Sequence, residues 1–198
     1  TKLMTALLVL EALDRDEIAL TDSVQISPRA AAMKGSQALL DASAVYPLED
    51  LLRTTIMASA NDSAVALSEY IAGSEENFVD RMNRRAAELG MTNTNYVNCT
   101  GYPQSGQYTT ARDVCRLCCE IAKHPRYNQY ASVWIDKLTH PGGRVTDLTN
   151  TNRLVRFYEG CDGYKTGSTD AAKYCLAATA EKLSLIHISE PTRHSLIS

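Results

Sequence analysis

The sequence predicts an α+β fold, with helices first and strands late. Three observations carry this. Apolar residues recur at helical spacing through most of the first 121 positions. From about Gln129 the chain turns to β-branched and aromatic residues around a Pro141-Gly142-Gly143 turn signal. Finally, CDGYKTG and AKYCLAATA read as two strands joined by the short polar turn STDA. That order places a cluster of helices on an antiparallel sheet. The length of 198 residues suits one domain, with 44% hydrophobic and 22% charged residues.

The opening TKLMTALLVLEAL has almost no polar face, so it predicts a buried helix to about Leu13. DRDEIALTD turns the chain, and Val24 to Tyr46, rich in Ala and Ser, carries no clear period. Pro47 starts a second helix at its first position, with Leu48, Leu51, Leu52 and Ile56 on one face. That helix stops at ASAND. The next runs from Asp62 as cap to Gly73 as stop. In SEENFVDRMNRRAAELG, Ser74 caps, Glu75 and Glu76 favour the positive helix start, and Gly90 ends the element. Thr110 and Asp113 form a capping pair for a helix reaching about HPR, with Ala111, Val114, Cys118 and Ile121 as its apolar stripe.

The six cysteines include three within DVCRLCCEIA. A helix there lacks both a fourth ligand and a wrapping loop for a tetrahedral metal, so the cysteines read as small buried hydrophobes. His124, His140, His187 and His194 form no zinc-peptidase pairing. A net charge of −3 gives no footprint for nucleic acid, and no apolar run is long enough to span a bilayer.

Three short stretches carry the chemistry together: Thr1-Lys2 at the head of the apolar helix, Ser59-Ala60-Asn61 between two helices, and Lys165-Thr166-Gly167 on a late strand. Each alone is common. In this order they match the S-x-x-K, S-x-N and K-T-G set of penicillin-binding proteins and class A β-lactamases. Lys2 is then the end of S-x-x-K, and its serine belongs two residues before Thr1. Residues three apart share a helix face, so the lysine amine sits beside that hydroxyl. Burial favours the neutral amine, which can act as a base.

Beyond the motifs, KLMTALLVLEAL, IMASANDSAVALSEYIAGSEENFVDRMNRRAAELGMTNTNYVN and TNRLVRFYEGCDGYKTGSTDAAKYCLAATA resemble the D-alanyl-D-alanine carboxypeptidases of the low-molecular-mass penicillin-binding type. The likeness runs from Thr1 to about Lys182. It implies a β-lactamase/transpeptidase-like fold, here without its N-terminal strands and last core strand. It further implies Lys2 as general base, Ser59 as proton relay and Asn61 as a hydrogen-bond partner of the substrate peptide. Lys165 and Thr166 would bind the terminal carboxylate, Gly167 would leave room for substrate backbone, and the N–H of Ser168 would contribute to the oxyanion hole. The implied substrate is a peptidoglycan stem peptide ending in D-Ala-D-Ala, β-lactams are the implied inhibitors, and no metal or organic cofactor is implied. The implied location is extracytoplasmic, with any membrane attachment in a segment outside this chain.

The resemblance makes residues 1–182 a partial catalytic domain. Leu183 to Arg193 resembles the translation of a sequencing-library adaptor, so 183–198 reads as a non-native tail. A class A-like β-lactamase is the alternative, but such enzymes carry a deacylating glutamate after S-x-N, and GMTNTNYVNCTGYPQ holds no acid. The 198-residue polypeptide itself, without the serine, is expected to be a non-catalytic fragment. Asn152 and Arg153 stand either near the substrate carboxylate or in loop packing, and Asp162 in a turn or salt bridge.

Overall fold

The computed structural model describes residues 1–170 and 172–180; the segment read as a tail lies outside them. Helix α1 (Lys2–Asp14) is the core's axis, as its all-round apolar sequence requires: Leu3 to Leu10, Ala12 and Leu13 are all buried. Around it pack α3 (Leu48–Met57), α4 (Asn61–Ala72), α5 (Glu75–Glu88), α6 (Ala111–Ile121) and α7 (Pro125–Ala131). Met4, Leu7 and Leu10 meet Leu51, Leu52, Ile56, Val65 and Phe78 in one apolar cluster. Each such fully buried side chain contributes about 1.5–3 kcal/mol.

Several helix ends follow the sequence. Ser74 accepts from the N–H of Asn77, and Thr110 from that of Asp113. Gly73 ends α4 in the left-handed conformation. Two do not. Pro47 stands one position earlier than expected, as N-cap of α3 and last residue of β2 (Val45–Pro47). Asp62 is no cap: α4 begins at Asn61, and the buried Asp62 carboxylate accepts from the N–H groups of Ala38, Leu40 and Ser63. Backbone donors 22 and 24 residues away outcompeted the local cap.

The cysteine helix also differs. Its buried residues are Asp113, Leu117 and Ile121, while Val114 and Cys118 are only partly covered and Ala111 is exposed. Asp113 faces inward because it accepts from the Asn93 N–H and the Thr94 hydroxyl, which turns the helix by about one position. Of the six cysteines only Cys99 is buried; Cys115, Cys119 and Cys175 are exposed, correcting the expectation of buried hydrophobes. After α6 the chain forms the separate helix α7, where strand character was expected from Gln129; Tyr127 and Tyr130 bury into the core from it.

All strand pairing among the described residues is antiparallel and two-stranded: β1 (Ser23–Gln25) with β2, β3 (Ile135–Thr139) with β4 (Val145–Thr149), and β5 (Cys161–Thr169) with β6 (Lys173–Ala180). The Pro-Gly-Gly signal does turn β3 into β4. The unperiodic stretch 24–46 contains β1, the short helix α2 (Pro28–Ala31) and a long loop; another short helix, α8 (Leu154–Phe157), precedes β5. No helix among the described residues is long and apolar enough to cross a membrane.

Candidate active site

Three segments converge at the N-terminal end of α1. The first wall is Lys2. Its ammonium donates to Oδ1 of Asn61 at 2.5 Å and to the carbonyl of Thr100 at 2.7 Å. The Thr100 carbonyl is placed there by neighbours on two helices. The Thr5 hydroxyl of α1 donates to the Cys99 carbonyl at 2.7 Å, and Glu75 of α5 accepts from the Cys99 N–H at 2.9 Å. Asn98 closes the turn by accepting from Gly101 N–H at 2.7 Å. Burial lowers the pKa of Lys2 to about 8 against the opposing pull of Cys99 and Asp62, so about a tenth of the amine is already neutral one pH unit below that value.

The second wall is the turn between α3 and α4. The carbonyl of Thr54 accepts from both Ala58 N–H and Ala60 N–H, which leaves Ser59 at the apex with φ 60°. A serine in the left-handed region is uncommon and is held only by such surrounding bonds. Ala60 is fully buried, anchoring the turn, while Ser59 stays partly exposed. Asn61 is fixed on every side: its N–H donates to the Ser36 carbonyl at 2.7 Å and its Nδ2 to the Lys34 carbonyl at 2.5 Å. The side-chain amide thus presents Oδ1 to Lys2.

The third wall is β5. A bulge between Cys161 and Gly163 precedes the lysine, with Gly163 at φ 110° and Tyr164 at φ 78°. A Cβ on Gly163 would collide with the Ala131 carbonyl, so only glycine lets β5 approach α7 here. Tyr164 then packs against Tyr127, ring centroids 5.0 Å apart and planes tilted by 50°, and Lys165 follows it on the strand. The Lys165 ammonium is buried and donates to the Thr166 carbonyl at 3.0 Å and the Thr151 hydroxyl at 3.4 Å. Burial first, and the charge of Lys2 second, lower its pKa to about 7. The Thr151 that Lys165 meets is itself bonded through its N–H to the Met57 carbonyl, two residues before Ser59, which sets this wall beside the second. Thr166 is partly exposed; Gly167 and Ser168 are exposed, and a Cβ on Gly167 would meet open space.

All seven residues singled out in the sequence therefore lie on these three walls. Others escaped the sequence. Thr100, Lys34 and Ser36 act through backbone carbonyls, which no side-chain motif announces. Thr151 links two walls, its N–H donating to the Met57 carbonyl at 3.1 Å while its hydroxyl faces Lys165. Asn152 is buried and donates to the Gly163 carbonyl at 2.8 Å, a loop-packing contact; Arg153 is exposed at the start of α8. Asp162 accepts from Thr179 and Asn128. Among the described residues no His, Cys, Asp or Glu group could hold a metal ion.

A lysine on a buried helix, an S-x-N turn and a K-T-G strand around one cleft define the penicillin-binding class of protein, and solved structures share the fold. The D-alanyl-D-alanine carboxypeptidase DacD of Francisella tularensis superposes with TM-score 0.87 at 28% identity, over 91% of this chain and 55% of that one. Penicillin-binding protein D2 of Listeria monocytogenes, solved with ampicillin bound, gives 0.72 at 32% identity, over 91% and 72%. The chain belongs to the D-alanyl-D-alanine carboxypeptidase family Peptidase_S11, whose model matches residues 1–189. The carboxypeptidase DacF of Bacillus subtilis is 43% identical over 182 residues, covering 92% of this chain and 47% of its own length. DacC of Escherichia coli is 34% identical, covering 91% and 46%. The chain thus spans about half the length of these relatives.

Proposed function

We propose that the protein carrying this chain is a serine D-Ala-D-Ala carboxypeptidase acting on peptidoglycan stem peptides outside the cytoplasmic membrane. The observation that carries the reading is the contact of Lys2 with Asn61 beside the Ser59 turn, to which Thr151 ties the Lys165 strand. The family membership and the carboxypeptidase names of the relatives support it.

In the proposed reaction, neutral Lys2 takes the proton of a serine three positions before it. The serine oxygen bonds to the carbonyl carbon of the penultimate D-alanine. The C–N bond breaks, and the proton passes through Ser59 to the leaving nitrogen of D-alanine. Water then attacks the ester, its proton returning to the serine oxygen along the same path, and the shortened peptide leaves. Asn61 holds the substrate peptide group, Lys165 and Thr166 hold the terminal carboxylate, and the open face at Gly167 admits substrate backbone. The N–H of Ser168 steadies the developing oxyanion. β-Lactams would acylate the same serine.

The test is direct. The protein extended upstream through that serine is incubated with labelled penicillin, and separately with a peptide ending in D-Ala-D-Ala. A covalent adduct and released D-alanine are expected; a folded protein that does neither contradicts the reading.

A further inference from the structure

The β3–β4 hairpin bears none of the three motifs, yet it reaches the S-x-N turn through one loop. Residues 34–41 leave α2 and meet Asn61 at their start, where the Ser36 and Lys34 carbonyls accept from it. In the middle, Asp62 accepts from Ala38 N–H at 3.0 Å and Leu40 N–H at 3.1 Å. Between those donors Leu39 sits at φ 62°, a conformation a branched side chain adopts only when its surroundings hold it. At the far end Arg144 of the hairpin donates to the Leu39 carbonyl at 2.6 Å and to Asp41 at 2.8 Å.

His140 stands behind that clamp, its side chain entirely buried. Its Nδ1 lies 2.7 Å from the Tyr46 hydroxyl and 3.1 Å from Nη2 of Arg144. A guanidinium only donates, so Nδ1 must be the acceptor. The ring proton is then on Nε2, 2.8 Å from the Thr146 hydroxyl. A proton on Nδ1 would face the guanidinium at 3.1 Å and displace it as a donor, leaving the ring to the Tyr46 hydroxyl at 2.7 Å and the Asp41 carboxylate at 3.7 Å. We propose that neutral His140 is a positioning residue for Asn61: it seats Arg144 on the 34–41 loop, and protonating the ring unseats the loop and slackens the S-x-N turn. The proposal rests on Asn61 as a substrate-binding residue.

The charges facing the ring agree with this. Burial and Arg144 lower the affinity of His140 for a proton, outweighing Asp41 and Asp62, which raise it. Tyr46 and Thr146, the other groups against the ring, are neutral partners. The neutral ring therefore prevails at neutrality, and the device acts only as the medium turns acid.

The experiment follows amide exchange and acylation in the upstream-extended protein between about pH 8 and about pH 5. As the His140 ring resonance titrates, protection of the Ala38, Leu40 and Asn61 amides is expected to fall by about tenfold. His140→Asn keeps an acceptor near the Nδ1 position and cannot be protonated there, so its protection should stay flat. The acylation rate with labelled penicillin should steepen in wild type beyond about tenfold per pH unit once His140 titrates, and not in His140→Asn. Flat protection through the wild-type titration, or the same fall in a folded His140→Asn, overturns the proposal. If the variant fails to fold, a wild-type fall whose midpoint does not coincide with that of the His140 ring resonance overturns the proposal. Absence of acylation at every pH would count against the carboxypeptidase reading instead, and leave the exchange result standing.

Discussion

The ammonium of Lys2 lies 2.5 Å from Oδ1 of Asn61, joining two motifs separated by 59 residues. This contact orients the amine proposed as the base, which burial has made easier to deprotonate, with a pKa of about 8. Protonated amine cannot accept a proton from serine, so acylation should rise with pH and level off above about 8. Below that value it should fall about tenfold per unit. Lys2→Arg keeps a charge that cannot be removed, and should cost about 10²–10⁴ in acylation rate on the high-pH plateau and lose the pH dependence. Stopped-flow quenching with a fluorescent penicillin measures both.

Lys165 sets function against stability. Its folded pKa is about 7, well below that of an exposed lysine, because it is buried and faces Lys2. The unfolded chain therefore binds more protons than the folded one between about 7 and the ordinary value of 10.5. Wild type loses stability as pH falls through that window. Lys165→Met should accordingly gain on wild type as pH falls, with its advantage largest below about 7 and shrinking at high pH. The same variant should lose about 10- to 100-fold in kcat/KM for substrates with a free terminal carboxylate, and much less for the corresponding amides. Denaturation curves and D-alanine release at several pH values test both halves.

Two glycines on β5 should separate fold from function. Gly163→Ala forces a methyl group into the Ala131 carbonyl at φ 110°, so a loss of about 2–4 kcal/mol is expected in urea unfolding. Gly167→Ala meets nothing within 4 Å and should unfold as wild type does. It should nevertheless bind penicillin far more slowly, because the methyl group occupies the face where substrate backbone would lie.

Asp62 is fully buried with three backbone donors. Asp62→Ala orphans the N–H groups of Ala38 and Leu40 and should cost about 2–5 kcal/mol. A variant within 0.5 kcal/mol of wild type, roughly the size of an ordinary surface change, would show that the 34–41 loop is held some other way.

Three of the helices that build the core were legible from their own period and caps, α1 on an apolar run, α5 on Ser74 and α6 on Thr110, whereas α7 was not and the starts of α3 and α4 were misplaced. The rest depended on distant partners. Asp62 looked like a cap because local sequence cannot show that Ala38 and Leu40 will come to it. The cysteine stripe was placed about one position off because Asp113 is drawn inward by Asn93 and Thr94. The site was legible in its side chains, Lys2, Ser59, Asn61 and the strand 165–168. Its backbone acceptors were not, since carbonyls such as those of Thr100 and Lys34 leave no mark on residue type.

Mapping the penicillin adduct by peptide mass spectrometry puts the assignment of Lys2 most directly to the test. The upstream-extended protein should carry the label on a serine three residues before Lys2, and the 198-residue polypeptide should carry none. A label on any residue between Thr1 and Ser198 would mean that the nucleophile is elsewhere and that Lys2 does not serve it.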